Sequence, residues 1–442
     1  MRILHYALGF PPYRSGGLTK FCMDLMRQQN KEGHQVALMW PGQMRLISKK
    51  VSIKDRGFNE IGIQSFEVIN PLPVPYDEGI ANIAAFTFDS DRGIYESFLD
   101  RYKPNVIHIH TLMGLHKSFV YIAQEKKIRI IFTAHDYFPI CPKVMMFRHS
   151  ELCRSIQDYK ECGSCNSTAL GIQKIKVLQS PVYRILKESF FVRRLRKKHR
   201  DNYLSERTND AKSIGTAEKF KKLREYYYAL LQMMDCIHYN STVTKAVYES
   251  VFSGLYNRVI PITHADIDDH RKEKTFSNDK LRLCYLGPGR EEKGFFLLKA
   301  ALDKLWNERH DFSLEIHFSP KKISPYMKVN EKYGYGELEK IFDETDVLVA
   351  PSIWYETFGY TVLEALSYGV PVIISGNVGA KDIMVDGAGI VIENITAYKL
   401  YEVIRNLNID SLQKMNKAIT EHQKILTLPE MAKEVEELYV KR

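Results

Sequence analysis

Residues 346–374 combine an apolar run, a short loop, a helix-like stretch and a second apolar run, an order that favours a strand–helix–strand unit. The runs at 347–350 and 370–374 have the length and β-branched content of buried strands. Thr357 is a suitable N-cap for the intervening helix, and Gly369 suits the left-handed position after its end. A buried strand, a helix and another buried strand predict a parallel sheet covered on both faces.

The loop before this helix brings an acidic side chain next to unpaired backbone donors. Glu356 precedes the helix, and the N–H groups of Phe358 and Gly359 have no partner within a helical turn. With the helix dipole, they predict a seat for a phosphate. Glu364 lies seven residues beyond Thr357 and therefore shares its helical face. Two carboxylates beside a phosphate seat suit a diphosphate held between two polyhydroxyl groups, as in a nucleotide-sugar.

Strand-like runs also alternate with helix-like stretches in the rest of the chain, which predicts an α/β protein. The polar, aperiodic residues 263–280 predict a linker between a domain at 1–262 and another at 281–427, followed by a helix at 428–442. Helix-like residues at 18–31 precede Gly33. The remaining predicted strands lie at 2–6, 35–40, 104–110, 129–136, 235–241, 259–262, 281–287, 313–318 and 389–392.

Charge is distributed unevenly along the chain. The 442 residues favour two or three domains, and their formal net charge is +10. Residues 171–225 alone contain 16 Lys or Arg against 6 Asp or Glu, so the surplus is local. This segment belongs to a predicted helical, basic insertion at about 141–230. Because no apolar run approaches the roughly 18 residues of a membrane span, the sequence predicts a cytoplasmic protein.

Residues 346–374 resemble glycosyltransferase family 4, whose members have the GT-B fold. The resemblance depends on the Glu-x7-Glu spacing of Glu356 and Glu364 within a strand–loop–helix, followed by Gly-Val-Pro-Val. It extends through the C-terminal half and, more weakly, through the first 140 residues. It implies two Rossmann-like domains with parallel sheets facing a central cleft, with the helix at 428–442 crossing back to the first domain.

The resemblance also implies an activity. Family members transfer a sugar from a nucleotide-sugar donor with retention of configuration and without a metal or other cofactor in the chemistry. Glu356 would contact the donor sugar and Glu364 the ribose, with Thr357, Phe358 and Gly359 near the diphosphate. We expect the acceptor to be a glycan or a polyprenyl-diphosphate-linked saccharide, in surface polysaccharide or glycoconjugate synthesis. The alternatives are a GT-B sugar-nucleotide epimerase or hydrolase, and a non-catalytic nucleotide-sugar or membrane-binding scaffold.

Glycine-rich loops follow the first strand of each predicted domain. Gly16 and Gly17 let backbone N–H groups approach an anion closely, and in the family such a loop faces the diphosphate and the acceptor. In the second domain, Lys293 matches the family's diphosphate-binding lysine. The family's arginine position holds Pro288 instead. We therefore hypothesise that Arg290 supplies the second cation.

Two histidines, His110 and His135, end buried strands at the edge where open α/β sheets bind ligands. His135, followed by Asp136, corresponds to a family histidine near the donor sugar or the acceptor, and we predict a catalytic role for it together with Glu356 and Lys293. A structural role at the end of the strand is the alternative. His110 has a weaker functional prediction, and His108 a weaker one still.

Four cysteines cluster within 25 residues, namely Cys141, Cys153, Cys162 and Cys165. The C-x2-C pair is suited to half of a zinc site, because a short turn can aim two thiolates at one metal. The other spacings are not diagnostic, so a structural zinc site and a loop of reduced thiols both remain open.

The basic residues 193–200 admit three interpretations. They predict attachment to an anionic membrane surface, with residues 190–192 inserting. A solvated helical face is the second interpretation. Nucleic-acid binding is the third and the least favoured.

Overall fold

The computed structural model describes residues 1–11, 14, 16–75, 79–148, 150–153, 157–186, 189, 194, 214–277 and 279–440. Within them, two large sheets with helices on their faces form the molecule, which confirms the predicted α/β class. The strands are β1 (Arg2–Tyr6), β2 (Gln35–Pro41), β3 (Ser52–Phe58), β4 (Gln64–Ile69), β5 (Val106–Ile109), β6 (Arg129–Ala134), β7 (Phe147–Arg148), β8 (Glu151–Leu152), β9 (Cys236–Tyr239), β10 (Asn257–Val259), β11 (Leu281–Tyr285), β12 (Phe312–Ile316), β13 (Met327–Val329), β14 (Val347–Ala350), β15 (Val372–Ser375) and β16 (Gly389–Ile392).

The first sheet has eight strands in the order β10-β9-β6-β5-β1-β2-β4-β3. All of its pairings are parallel except the one between β3 and β4 at the edge. The second sheet has six parallel strands in the order β13-β12-β11-β14-β15-β16. Strands β7 and β8 form a separate two-stranded hairpin.

Helices cover the sheets because their apolar faces pack on the buried strands. They are α1 (Gly17–Lys31), α2 (Ile83–Phe86), α3 (Arg92–Tyr102), α4 (Lys117–Glu125), α5 (Cys162–Cys165), α6 (Ile172–Leu178), α7 (Pro181–Leu186), α8 (Ala217–Leu231), α9 (Thr242–Glu249), α10 (Phe295–Trp306), α11 (Leu338–Asp343), α12 (Tyr360–Ser367), α13 (Ala397–Arg405), α14 (Ile409–His422) and α15 (Leu428–Glu436). None of those in the described ranges is long and apolar enough to cross a membrane.

The last helix, α15, packs against α1 although it follows the second sheet in sequence. Its buried residues Met431 and Val435 belong to the same apolar cluster as Phe21 and Leu25 of α1. A short 3₁₀ helix over Glu437–Tyr439 follows and places Tyr439 beneath the first sheet. The chain from the second sheet therefore ends its described course against the first.

The connection between the sheets differs from a solvated linker. Residues 263–280 form no regular helix or strand where they are described, as the composition predicted. However, Thr263 and His264 are fully buried. Two further details differ from the sequence prediction. The last strand of the first sheet is Asn257–Val259 rather than 259–262, and strands β3 and β4 were not predicted.

Candidate functional site

The loop after β14 forms one side of the site. Glu356 is held there by a parallel bridge to Val378, with its N–H donating to the Asn377 carbonyl at 2.9 Å. One carboxylate oxygen, Oε1, accepts from Lys293 Nζ at 2.5 Å. The other, Oε2, accepts from Ser352 Oγ at 2.8 Å. The carboxylate therefore has a fixed orientation.

The charge state of Glu356 follows from these contacts. Burial raises its pKa, but the charge and hydrogen bond of Lys293, with hydrogen bonds from Ser352 and Trp354, outweigh that effect and hold the pKa below its ordinary value. Lys293 Nζ also lies 4.7 Å from the centre of the Trp354 ring, a cation–π contact. Two of the predicted catalytic residues thus form a single ionised pair.

Helix α12 begins two residues later than the sequence predicted, at Tyr360. Thr357 is therefore not its N-cap, because its hydroxyl donates to the His135 carbonyl of the first sheet at 3.2 Å. Gly359 is the N-cap, with φ of 105°, a backbone conformation that favours glycine. In the described part of the chain, the N–H groups of Phe358 and Gly359 have no hydrogen-bond acceptor.

Glu364 lies deeper along the same helix and is buried. Its Oε1 is 3.2 Å from His264 Nε2, a residue of the interdomain connection. Within the described residues, its Oε2 is buried without a hydrogen-bond partner, as is the Tyr360 hydroxyl. Buried polar atoms without partners are rare and require an explanation. Ligand hydroxyl groups would provide one.

The first sheet contributes the glycine loop and the start of α1. Gly16 is the residue immediately before α1. At Gly17, a Cβ would lie 3.3 Å from the Tyr360 ring, so the loop approaches the helix start of the second sheet closely. Lys20 lies in the first turn of α1, on the same side of the site as the glycine loop. Its Nζ is 2.8 Å from Asp24 and 2.6 Å from Asp266 of the interdomain connection.

His135 follows β6 and reaches the site from the other side. Its backbone carbonyl accepts from Thr357, and its ring packs 4.7 Å from the Phe21 ring. Its Nε2 is 3.3 Å from His110 Nδ1. Burial, with a smaller contribution from the nearby His238, lowers the pKa of His135 to about 3, so its imidazole is neutral at physiological pH.

Comparison with known proteins identifies the family. The model "Glycosyltransferase Family 4" matches residues 15–160, and "Glycosyl transferases group 1" matches residues 327–424. Together they cover more than half of the chain and include the glycine loop, His135, Glu356 and Glu364. The chain belongs to glycosyltransferase family 4. The two Rossmann-like sheets are accordingly those of the GT-B fold.

Individual relatives are distant from this family 4 member. An "Uncharacterized 41.2 kDa protein in cps region" of Klebsiella pneumoniae is 27% identical over 228 residues, which are 47% of this chain and 62% of that protein. The chain thus spans less than two thirds of that relative. Anabaena Alr3699/HepE, solved in complex with UDP-glucose, has a TM-score of 0.54 at 11% identity and 99% coverage of both chains. WaaG, described as a glycosyltransferase involved in lipopolysaccharide biosynthesis, has a TM-score of 0.54 at 13% identity, also with 99% coverage of both.

The loop after β11 contains Pro288, which occupies the position of the family's arginine. The Pro288 carbonyl accepts a hydrogen bond from Tyr285 at 2.7 Å. Arg290 lies 3.4 Å from the buried Glu292 and is half exposed. Its guanidinium therefore has an acidic neighbour. Its role as a second cation for the diphosphate stays a prediction.

The cysteine cluster lies beside α8. All four cysteines are free thiols, and Cys141 and Cys162 line one small cavity that Arg224 and Tyr227 of α8 also border. No three of the four sulfur atoms, all of them described, lie within 4.8 Å of one another. The structure thus contains the cluster without a gathered tetrahedral ligand set, and zinc binding stays a prediction.

Part of the predicted membrane segment lies outside the described residues, namely 187–188, 190–193 and 195–213. Its described part includes α6 and α7. Their large apolar side chains are exposed at four positions, Val177, Val182, Ile185 and Leu186.

Three residues of the site were not found from the sequence. His264 and Asp266 lie in a polar stretch that appears as a linker by composition, and only the fold brings them to Glu364 and Lys20. Lys20 itself follows the glycine pair by three residues, a spacing that could have indicated a cation at the start of α1. Within a single sequence, nothing comparable marks His264.

Proposed function

We propose that this protein transfers a sugar from a nucleotide-sugar donor to a glycan or lipid-linked saccharide, with retention of anomeric configuration. The observation that carries the proposal is the pair of carboxylates flanking the start of α12. Glu356 is paired with a lysine on one side, and on the other Glu364 has a buried oxygen with no partner among the residues that the structure describes. Family membership and the fold shared with a protein solved with UDP-glucose support the same conclusion.

The donor would lie between these groups with its diphosphate at the unpaired N–H groups of Phe358 and Gly359. Lys293 would meet the diphosphate and stabilise it as it leaves, and such electrostatic stabilisation is the largest contribution in many enzymes. Glu356 would accept hydrogen bonds from the sugar and Glu364 from the ribose. The leaving phosphate would deprotonate the acceptor hydroxyl, so we assign no protein nucleophile and no cofactor.

The class of acceptor is proposed from a relative of the protein and from the composition of its surface. The Klebsiella pneumoniae relative is described as lying in a cps region, which supports a role in surface polysaccharide or glycoconjugate synthesis. The exposed apolar side chains of α6 and α7 lie within the basic segment 171–225. A surface of this composition supports peripheral attachment to an anionic membrane, where a lipid-linked acceptor would reside.

Donor binding is tested by thermal shift against UDP-, GDP-, dTDP- and ADP-sugars, because a ligand specific for the native state raises the melting temperature. We expect one nucleotide class to stabilise the wild type. Glu364→Gln should weaken donor affinity by roughly tenfold, since it loses a charge-assisted hydrogen bond worth about 1.5–3 kcal/mol. The exposed Glu421→Gln serves as the matched control. Equal donor affinity in all three proteins would contradict the assigned ribose contact.

The competing functions differ in product release. A transferase releases nucleoside diphosphate faster when an acceptor is present, whereas a hydrolase releases it at the same rate without one and an epimerase returns a changed nucleotide-sugar. Donor binding without turnover over any acceptor would favour a scaffold.

Zinc at Cys141, Cys153, Cys162 and Cys165 is a separate proposal. It is tested by metal analysis of the purified protein, with the Cys162→Ser/Cys165→Ser variant as the comparison. About one equivalent of zinc that the variant loses would establish the site. Less than a third of an equivalent in the wild type would exclude a filled one.

A further inference from the structure

A continuous chain of hydrogen bonds runs through the buried interior of the first sheet and ends at His135. It begins at the Ile260 carbonyl, which accepts from His238 Nε2 at 2.8 Å. His238 Nδ1 is 3.0 Å from Thr133 Oγ1, and Thr133 Oγ1 is 2.7 Å from His108 Nε2. His108 Nδ1 is in turn 2.7 Å from the hydroxyl of Tyr439.

The second half of the chain continues from Tyr439 toward the site. Gln29 Nε2 donates to the Tyr439 hydroxyl at 3.0 Å, and Gln29 Oε1 is 2.8 Å from His5 Nε2. His5 Nδ1 is 2.9 Å from His110 Nε2. The last link is the 3.3 Å contact between His110 Nδ1 and His135 Nε2.

The carbonyl at the far end decides where each proton lies. A carbonyl only accepts, so His238 must carry its proton on Nε2 and accept at Nδ1 from the Thr133 hydroxyl. Thr133 then accepts from His108 Nε2–H. His108 Nδ1 is left as an acceptor, and it takes the proton of the Tyr439 hydroxyl.

The same assignment of donors and acceptors continues from Tyr439 to His135 in the candidate site. Because the Tyr439 proton is used by His108, its oxygen accepts from the Gln29 amide, and Gln29 Oε1 faces His5. His5 must therefore donate from Nε2 and accept at Nδ1 from His110 Nε2–H. His110 Nδ1 is then an acceptor, and it takes the Nε2 proton of His135.

The imidazoles of this series of hydrogen bonds are neutral. The assignment above requires this, because each hydrogen bond contains a single proton. Burial lowers the pKa of His5 and His238 to about 4 each, and holds the pKa values of His108 and His110 well below their ordinary range. Nitrogens of His5, His108 and His110 also lie within 4.8 Å of one another, as metal ligands would. However, every ring nitrogen of these three already takes part in a hydrogen bond, so each lone pair is engaged by a proton donor.

We propose that this series of hydrogen bonds holds His135 as the neutral tautomer protonated on Nε2, with Gln29 and Tyr439 as positioning residues for sugar transfer. Nδ1 is then the only ring nitrogen of His135 that can accept. A sugar hydroxyl that meets it must donate its proton, and the ring cannot donate to a phosphate from that side. The catalytic part of this proposal rests on the proposed function, whereas the tautomer does not.

The tautomer is measured in the ligand-free, full-length protein by nitrogen NMR of ¹⁵N-histidine, in which protonated and bare ring nitrogens have distinct shifts. Signals of His135 are assigned by their loss in His135→Gln. We expect Nε2 protonated and Nδ1 bare. A His135 protonated on Nδ1, or on both nitrogens at neutral pH, would overturn the proposal without any enzyme assay.

Two variants test the control exerted by the chain. Gln29→Met removes the acceptor for His5, so the links from His5 to His135 can reverse and a second His135 tautomer should become populated. Tyr439→Phe should do the same by letting the Gln29 amide turn over. Gln28→Met makes the same chemical change one residue away, on a side chain that bonds to Glu32, and should leave one tautomer.

Turnover gives the second readout. If half of the protein holds the wrong tautomer, kcat should fall about twofold in Gln29→Met and stay unchanged in Gln28→Met. A single His135 tautomer in both Gln29→Met and Tyr439→Phe would refute the control by the chain. No transfer by the wild type, with the expected tautomer intact, would reject only the proposed function.

Discussion

Glu356 and Lys293 neutralise each other before any ligand is present. The pair is largely buried, with side-chain exposures of 18% and 24%. Removing one partner of such a pair would leave the other as an uncompensated buried charge. Each side chain is therefore stabilised in its position by the other. In the proposed donor complex, the diphosphate would supply negative charge to the lysine and the sugar hydroxyls would donate to the carboxylate, so two new contacts would replace the pair.

Replacing Glu356 by Gln tests this exchange. We expect kcat to fall on the order of 10²-fold while donor affinity changes much less, because the carboxylate orients the reacting sugar rather than anchoring the nucleotide. Steady-state kinetics with varied donor measure both. Glu421→Gln is the exposed control, and a Glu356→Gln enzyme with wild-type kcat would exclude the orienting role.

The residues at this scale differ in how far sequence could predict them. Glu356 and Glu364 lie beside a predicted helix start, so local pattern was enough to select them, whereas Lys293 was selected through its match to the family's lysine. Lys20 and His264 contribute only through contacts with Asp266 and Glu364, and no local pattern encodes such distant pairs.

Among the elements, the start of α12 shows tertiary structure overriding a local preference. Thr357 is the better cap by chemistry, yet its hydroxyl bonds to the His135 carbonyl of the other sheet, and its own carbonyl accepts from Ser241 and Thr244. The helix therefore begins only after Gly359. The strand β14 and the end of the helix at Gly369 were predicted correctly because buried apolar runs and left-handed glycines are local signals.

Gly359→Ala tests the backbone requirement at this helix start. The φ of 105° is strained for alanine, and the added Cβ would lie 3.0 Å from Val378 Cγ1. We expect the free energy of unfolding to fall by about 1–3 kcal/mol, together with weaker donor binding. Gly336→Ala is the matched control, since a Cβ there meets nothing within 4 Å. Equal denaturant midpoints for both variants would contradict the argument.

For the whole molecule, the buried histidines make stability depend on acidity. In the unfolded chain they take up protons near pH 6.5. In the folded chain His5 and His238 do so only near pH 4, and His135 near pH 3. Since the unfolded state binds more protons in this window, the free energy of unfolding is highest above about pH 6.5 and falls as the pH is lowered toward 4.

Denaturant unfolding at several pH values measures this dependence. Carboxylates also titrate in the window, so the informative quantity is the difference between variants. His238→Gln should reduce the slope by up to about 1.4 kcal/mol per pH unit. His422→Gln, at an exposed position, should not change it. Identical slopes in both variants would exclude His238 as a source of the acid sensitivity.

The placement of Tyr439 beneath the first sheet has a consequence for biosynthesis. Its hydroxyl joins His108 to Gln29, although it is translated 331 residues after His108. During translation the first domain therefore lacks this hydroxyl until the second domain has been synthesised, and His108 and Gln29 lack their common partner. We therefore expect this part of the first domain's interior to reach its final hydrogen bonding only after Tyr439 has been synthesised.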